Sequence, residues 1–310
     1  MRELSCFGDG SVSVAAAAAS VSGRGELDRS LQAATTSVYR AVLSSGKGML
    51  IRVTWTRSAA GAPGAAVAFD DGDESTPTTA KPRSGGLVVL QKRRGSRSLV
   101  TGGGTAVAVH WDTAEAKYAS PASPEPERDY AVAVVAGGAE LALLLGAGGA
   151  ARELSRRHGL GPGPRGGGGG GGAALVSRRE QVRGARAAHV TRCRFRGGGA
   201  EHEVAVRACR GGGGDGELRV SIDGETVAEV RRVGWGFRGN RAAVLPDGEV
   251  VDVMWDVHDW WFGGRGGAGA GAQFMVKARA EKEGRLWMAD EAARGQSPAG
   301  FFLHVQCYRR

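Results

Sequence analysis

Arg94-Gly95-Ser96-Arg97, followed by Trp111-Asp112, recurs later in the chain as Arg238-Gly239-Asn240-Arg241, followed by Trp255-Asp256. Both parts of the match are displaced by 144 residues, the difference between 255 and 111 and between 238 and 94. Apolar positions agree at the same displacement: Val100, Val107 and Val109 correspond to Val244, Val251 and Val253, and Tyr130 and Val132 to Phe274 and Val276. The match predicts a duplicated unit, and so long a period indicates two domains or half-domains rather than a solenoid.

The segments around this match alternate between apolar and polar residues. Apolar side chains occupy every second position in Met49–Thr56 and again in Thr105–Asp112, as in half-buried strands. Asp223-Gly224 between two such segments is a hairpin signal. Because strands alternate with turns and not with helices, we predict an all-β fold of two related antiparallel β-sandwich or barrel-like units. The alternative is one large sandwich or barrel to which each repeat contributes half.

Composition divides the chain into four segments. Residues 1–34 are small and polar, which predicts a disordered N-terminal tail. Residues 35–148 form the predicted first β unit. Residues 149–186 are predicted to hold one short helix, Gly149–His158, and a glycine-rich linker. Residues 187–310 form the predicted second β unit.

The overall composition indicates which kinds of partner and which cellular compartment to expect. The chain has 310 residues, 42% of them hydrophobic, and a formal net charge of +9, which favours anionic partners unless the charge is merely spread over a solvated surface. Four cysteines without a CxxC spacing indicate free thiols in a reducing compartment. No apolar run is long enough to span a membrane, so we expect a soluble protein of the cytoplasm or nucleus.

Two basic turns, Lys92–Arg97 and Arg231–Arg241, occupy the same place in both repeats. Five of their side chains are candidates for an anion-binding surface that takes nucleic acid or phospholipid head groups: Arg93, Arg94, Arg97, Arg238 and Arg241. A structural interpretation competes with this one. In it, the glycine of each Arg-Gly pair adopts a positive φ and the arginine pairs with Asp112 or Asp256.

The segment Met254–Phe262 (MWDVHDWWF) has the highest density of aromatic and polar side chains. Trp260 and Trp261 are candidates for stacking on a sugar ring or a base, with His258 and Asp259 as polar partners. Core packing is the alternative. If the segment is extended, the adjacent tryptophans point to opposite sides, and one of them stays accessible to a ligand.

Metal, nucleotide and catalytic motifs are weak. His110 and Asp112 share a predicted strand face, but Met254 replaces the histidine in the second repeat, and we predict no metal site. The GxGxxG match at Gly264–Gly269 precedes a strand pattern and not a helix, and no GxSxG motif occurs. We therefore expect no enzyme and no cofactor.

A set of short motifs resembles a plant family known as domain of unknown function 868. The resemblance extends over nearly the whole chain and is carried by several segments: Met1–Gly8, Val53-Thr54-Trp55, Lys92–Ser98, Trp111-Asp112, Ser123–Pro126, Leu143–Gly146, Val176–Glu180, Ile222-Asp223-Gly224, Phe237–Asn240 and Trp255–Trp260. Gly234-Trp235-Gly236 departs from the family, which tends to have a lysine beside the tryptophan. The resemblance implies a plant protein and brings no known activity, cofactor or catalytic residue.

Three functions follow, in order of preference. Duplication without a catalytic constellation favours a non-enzymatic β-rich interaction protein whose partner is another protein. The repeated basic turns favour a binder of anionic ligands. The tryptophan-rich segment favours a binder of a small molecule or sugar.

Overall fold

The computed structural model describes most of the chain between its first strand and its C-terminus, namely residues 31–58, 61–71, 86–120, 123–146, 148–159, 173–184, 187–210, 216–263, 271–279 and 301–309. Most of the predicted tail lies outside these ranges. Its last four residues do not belong to a tail, because the first strand begins at Leu31, where backbone pairing with Ser58 already starts.

Strands dominate the described residues, and two short helices accompany them. The elements are β1 (Leu31–Val42), β2 (Gly48–Ser58), β3 (Pro63–Asp70), β4 (Leu87–Val89), β5 (Arg94–Val100), β6 (Ala106–Asp112), β7 (Ala131–Ala136), β8 (Glu140–Leu145), α1 (Gly149–Arg157), β9 (Ala174–Gly184), β10 (Ala187–Cys193), β11 (His202–Arg210), β12 (Gly216–Ile222), β13 (Glu225–Val230), β14 (Arg238–Val244), β15 (Val250–Asp256), α2 (His258–Phe262), β16 (Gly271–Ala278) and β17 (Phe302–Arg309). The all-β prediction is confirmed.

These strands form three sheets. The central sheet has nine strands in the order β14-β15-β16-β17-β9-β1-β2-β3-β4. The N-terminal sheet has the order β5-β6-β7-β8, and the C-terminal sheet has the order β10-β11-β12-β13. Neighbouring strands are antiparallel except β9 and β17, which run parallel. No sheet of the described residues closes into a barrel, since each has two different end strands.

Both small sheets pack on the same face of the central sheet. One row of paired residues crosses that face from Val53 through Ser37 and Arg178 to Leu303. Val53 belongs to a core shared with the N-terminal sheet, and Leu303 belongs to a core shared with the C-terminal sheet. The protein is therefore a pair of sandwiches built on one continuous sheet.

Alternation of apolar and polar residues along the strands explains most of the buried core. Strand β7 is an exception, because all of its residues are buried. In β2 the odd positions Ile51, Val53 and Trp55 are almost fully buried. All six residues of β7 are buried, because α1 covers its second face with Ala151 and Leu154. The predicted helix is confirmed at this position.

Strand β9 lies where the sequence predicted a glycine-rich linker, and that part of the prediction is wrong. Residues 174–184 lie inside the segment expected to be a glycine-rich connection, yet they pair with β1 on one side and with β17 on the other. The apolar alternation that identifies other strands is interrupted here, because charged Arg178 and Glu180 occupy core-facing positions in the middle of β9. The two β units thus share a sheet and are not separate domains.

An ion-pair network occupies the junction between the two cores. Arg178 Nη2 lies 2.6 Å from Glu125 Oε2, and its Nε donates to Glu180 Oε1 at 2.5 Å. Glu180 also contacts His189 Nε2 at 2.5 Å and accepts a hydrogen bond from Thr191 Oγ1 at 2.8 Å. Burial alone would raise the pKa of Glu180, but these partners lower it to about 2. Each charge faces a partner of opposite sign, which offsets part of the cost of removing it from water.

Arg178→Met tests this network. The change leaves Glu125 without its cation and Glu180 with one partner fewer, so we expect a loss of about 3 kcal/mol in the free energy of unfolding, measured by urea denaturation. The control is Arg192→Gln, which removes an exposed ion pair with Glu203 and should change stability by less than about 1 kcal/mol. Equal effects of the two substitutions would contradict the role assigned to Arg178.

Candidate interaction surface

The two Arg-Gly turns are built around arginine–aspartate pairs. Arg94 Nε donates to Asp112 Oδ2 at 2.8 Å, and Arg238 Nε donates to Asp256 Oδ2 at the same distance. The second oxygen of each aspartate accepts a backbone N–H, from Ala114 at 3.1 Å in one unit and from His258 at 3.0 Å in the other. The structural Arg–Asp pairing offered as the alternative interpretation is confirmed.

The glycine of each pair makes room for a tryptophan ring. A Cβ atom at Gly95 would overlap the ring of Trp111, and one at Gly239 would overlap the ring of Trp255. Neither glycine has a positive φ, so that part of the structural interpretation is wrong and close approach is the reason for glycine. Each ring donates its Nε1–H to a backbone carbonyl, of Lys92 at 2.8 Å or Gly236 at 3.0 Å.

The two units make matching contacts at positions 144 residues apart, while the duplication itself stays a prediction. Matching pairs of residues supply the ion pair, the glycine under the ring and the indole hydrogen bond. The alternation of buried and exposed residues along β5 is also the same as along β14.

Gly239→Ala should destabilise the protein by about 2 kcal/mol, because the added methyl group displaces a buried tryptophan. Gly95→Ala should act alike. The control is Gly102→Ala, whose Cβ meets nothing within 4 Å and whose φ is not positive. Thermal unfolding measures the melting temperature of the three variants. Wild-type melting temperatures in all of them would contradict the packing role of Gly95 and Gly239.

The arginines of the two turns do not converge. Strand β14 is one edge of the central sheet, and β5 follows the opposite edge strand, β4, after only four residues. Nine strands at the usual spacing span about 38 Å. Among the described residues, the arginines of the two turns therefore do not form one anion-binding surface. Arg93, Arg97 and Arg241 are exposed at their separate edges.

The free backbone groups of both edge strands can be identified from the hairpins that follow them. Leu245 N donates to the Glu249 carbonyl at 2.8 Å, and Val257 N donates to the Phe237 carbonyl at 2.8 Å. Bonded pairs alternate along an antiparallel ladder, so the odd residues of β14 face β15 and its even residues direct N–H and C=O outward. The outward residues are Arg238, Asn240, Ala242 and Val244. In β5, the corresponding bonds of Thr101 and Thr113 give the same pattern.

A cluster of aromatic rings distinguishes β14 from β5. The ring of Phe237 lies 5.2 Å from that of His258 and 5.4 Å from that of Phe262, and the Arg238 guanidinium lies 5.7 Å from its centroid. Phe262 is 54% exposed, and Trp235 beside the cluster is 91% exposed. We call the following residues the β14 surface: Trp235, Phe237, Arg238, Arg241, His258 and Phe262.

Sequence reasoning singled out only part of this surface. Arg238, Arg241 and His258 were candidates, whereas Trp235, Phe237 and Phe262 were not. The flanking glycines of Trp235 were the available signal, since Gly234 and Gly236 belong to a tight turn that leaves the indole outside the core.

The paired tryptophans follow a helical turn and not an extended strand. Trp260 is buried in the second core, and its neighbour Trp261 packs half-buried against Gly216 and Gly234. Their ring centroids are 6.2 Å apart. Because α2 replaces the expected extended backbone, the two side chains leave it about 100° apart rather than on opposite sides, and neither ring is exposed as an open platform.

His110 and Asp112, which share a predicted strand face without predicting a metal site, contact other side chains. The ring of His110 stacks on that of His158 with centroids 3.8 Å apart, and Asp112 holds Arg94. Among the described residues, no group of three or more histidine, cysteine, aspartate or glutamate side chains is arranged to hold a metal ion.

His202 lies between two carboxylates in the C-terminal half of the chain. Its Nδ1 lies 2.7 Å from Asp223 Oδ2, and its Nε2 lies 3.1 Å from Asp247 Oδ2. Burial alone would lower the pKa of His202, but hydrogen bonds to the two carboxylates raise it. Through its two ring nitrogens, His202 thus links the C-terminal sheet to the β14–β15 hairpin.

This geometry predicts a pH-dependent stability. A raised pKa stabilises the fold fully below the unfolded value near 6.5, and the stabilisation disappears as pH rises through the folded value. The difference in unfolding free energy between wild type and His202→Asn should therefore shrink between pH 5.5 and pH 9, measured by urea denaturation at each pH. A constant difference over this range would contradict a protonated His202.

Comparisons with known proteins point to one family. A family model described as a plant protein of unknown function, DUF868, matches residues 30–306. No curated protein and no solved structure matches the chain. In the part of the chain that the structure describes, no helix is long and apolar enough to cross a membrane.

Proposed function

We propose, for a chain that belongs to the plant family DUF868 of unknown function, that the protein is a non-enzymatic interaction module that binds an extended acidic segment of another protein at β14. The observation that carries the proposal is the outer edge of β14, which pairs with no other described strand and lies beside the aromatic rings of the β14 surface.

The backbone of β14 supports binding by strand addition. An exposed edge offers a row of N–H and C=O groups that an extended peptide can pair with, while its side chains enter neighbouring pockets. The outward groups of Arg238, Asn240 and Ala242 form such a row. Val244, at the end of the strand, is 73% exposed and offers an apolar contact.

Charge and aromatic content support an acidic partner with an apolar side chain. Arg238 lies on one face of β14 and Arg241 on the other, and both are exposed. Arg231 and Arg232 precede Trp235 in the same turn and are exposed as well. Exposed tryptophan and arginine are the residue types that most often dominate the energy of protein interfaces.

Strand β5 provides an internal comparison. It has the same free edge and the same Arg-Gly start, but Gln91 and Arg93 occupy the positions that correspond to Trp235 and Phe237. Binding at β14 and not at β5 would therefore identify the aromatic rings as the selective feature.

The experiment selects peptides from a random twelve-residue library against the full chain and then measures affinities. Enriched peptides should be acidic and rich in strand-forming residues, and Ala242→Pro should weaken their binding about tenfold because it removes one outward N–H. A proline at an edge position leaves the ladder with β15 intact. Arg238→Gln with Arg241→Gln should weaken binding further and reduce its salt dependence.

Matched controls lie in β5. Ser98→Pro corresponds to Ala242→Pro, and Arg94→Gln with Arg97→Gln corresponds to the charge variant at β14. Unchanged affinity in these controls supports the proposal. Failure to enrich acidic peptides, or equal binding by wild type and Ala242→Pro, overturns it.

Binding of nucleic acid or lipid head groups is the second candidate, and exposure of Arg93, Arg97 and Arg241 favours it. The separation of the two edges limits such binding to one turn at a time. The free thiols Cys193 and Cys307, both buried, support a place in the cytoplasm or nucleus, where thiols stay reduced.

A further inference from the structure

Strands β5 and β14 each carry an arginine on the side that faces a core. In β14, Phe237 and Ala243 pack against the core shared with the C-terminal sheet, and Arg241, two residues before Ala243 on the same side, is exposed. In β5, Leu99 packs against the other core, and Arg97 is exposed at the matching position. Alternation would place an apolar residue at both positions, so the charge needs an explanation.

Arg241 differs from Arg238 in lacking a counter-charge. Arg238 lies on the opposite face of β14 and is held by Asp256 at 2.8 Å. Among the residues that the structure describes, none forms an ion pair or a side-chain hydrogen bond with Arg241. Its neighbour across the ladder is Val253, whose side chain has no polar atom. An acidic side chain on the outer side of the edge would supply the missing charge.

The charge of Arg241 disfavours pairing of β14 with a second copy of itself. Antiparallel self-pairing along the whole strand would place Arg238 opposite Val244 of the second copy and Arg241 opposite Arg241. Like charges directly opposite each other destabilise a strand pair, and inward-pointing charges protect free edges in many proteins. The occupant that fits this edge is therefore a different strand, with an acidic residue at that position.

An antiparallel segment added to β14 would bring one of its side chains close to Arg241. The even residues of β14 direct N–H and C=O outward, so a residue added opposite an odd position belongs to a non-hydrogen-bonded pair. Cα atoms in such a pair are about 4.5 Å apart, closer than in a bonded pair. Side chains of opposite charge stabilise this arrangement, which favours a glutamate or aspartate opposite Arg241.

Gly239 lies on the same side of β14, two residues before Arg241, and offers no side chain to an added strand. The ring of Trp255 fills the space that a Cβ atom would need there. The ring therefore reaches the edge of the sheet, and the half-buried Phe237 flanks the same position. An aromatic side chain opposite an edge glycine covers it and stabilises the strand pair. The position opposite Gly239 thus favours an aromatic residue.

We propose, on the premise of strand addition at β14, that this edge selects an antiparallel segment with an acidic residue opposite Arg241 and an aromatic residue opposite Gly239. Because the two strands run in opposite directions, the acidic residue comes first, and one residue separates it from the aromatic one. Backbone pairing supplies affinity without regard to sequence, and side-chain contacts supply specificity. Arg241 is therefore the specificity-determining residue of the site.

The test selects peptides from one random twelve-residue library against the full-length wild type and against Arg241→Glu in parallel. Wild type should enrich an acidic residue two positions before an aromatic one. Arg241→Glu should enrich lysine or arginine at the acidic position and keep the aromatic residue, because only the charge of its partner changes. Arg241 is exposed, so both proteins should have the same melting temperature.

Affinities then form a double-mutant cycle between the chain and its most enriched peptide. Replacing the acidic residue of that peptide by lysine should weaken binding to wild type about tenfold and strengthen binding to Arg241→Glu. Arg241→Gln should lose the preference without reversing it. The control is Arg97→Glu, the matching change in β5, which should select and bind the same peptides as wild type.

The outcomes separate this proposal from strand addition itself. If Ala242→Pro weakens binding but wild type and Arg241→Glu enrich the same charge, the assignment of Arg241 is overturned while strand addition stands. An equal shift caused by Arg97→Glu overturns the assignment in the same way. If wild type enriches no peptide at all, strand addition fails and the proposal fails with it.

Discussion

The pairing of Arg178 with Glu125 and Glu180 is the interaction on which the architecture depends. It lies on the strand that joins the two halves of the central sheet, in the row where one apolar core ends and the next begins. Hydrophobic side chains there would fuse the two cores. A paired charge network keeps them apart and fixes how β9 lies against its neighbours, since buried charges tolerate little displacement from their partners.

One face of the central sheet packs against the two hydrophobic cores, and the other face is largely polar. Apolar side chains of β2, β16 and β17 fill the cores, while residues on the reverse side of the same strands include Thr54, His304 and Gln306. Strand alternation makes this division possible, because each strand serves both faces with successive residues. The edges add a third kind of surface, in which backbone groups and not side chains face outward.

Sequence reasoning recovered the class of the fold and the Arg–Asp pairs, since alternation and the 144-residue match are local signals. It missed β9, because Arg178 and Glu180 resemble solvent-exposed residues until their partners from distant segments are known. It misplaced Trp260 and Trp261, because a helical turn of five residues leaves no periodic pattern.

The parallel pairing of β9 with β17 has a consequence for how the chain folds. The hydrogen-bonded side chains Gln181 and Gln306 are 125 residues apart in sequence, and everything between them must be synthesised before the sheet is complete. Closing so long a loop is entropically slow, and folding rates fall as contacts become less local. A nascent chain released without its last strand would expose one side of β9, leaving half of the sheet without its neighbour and prone to pair with other chains.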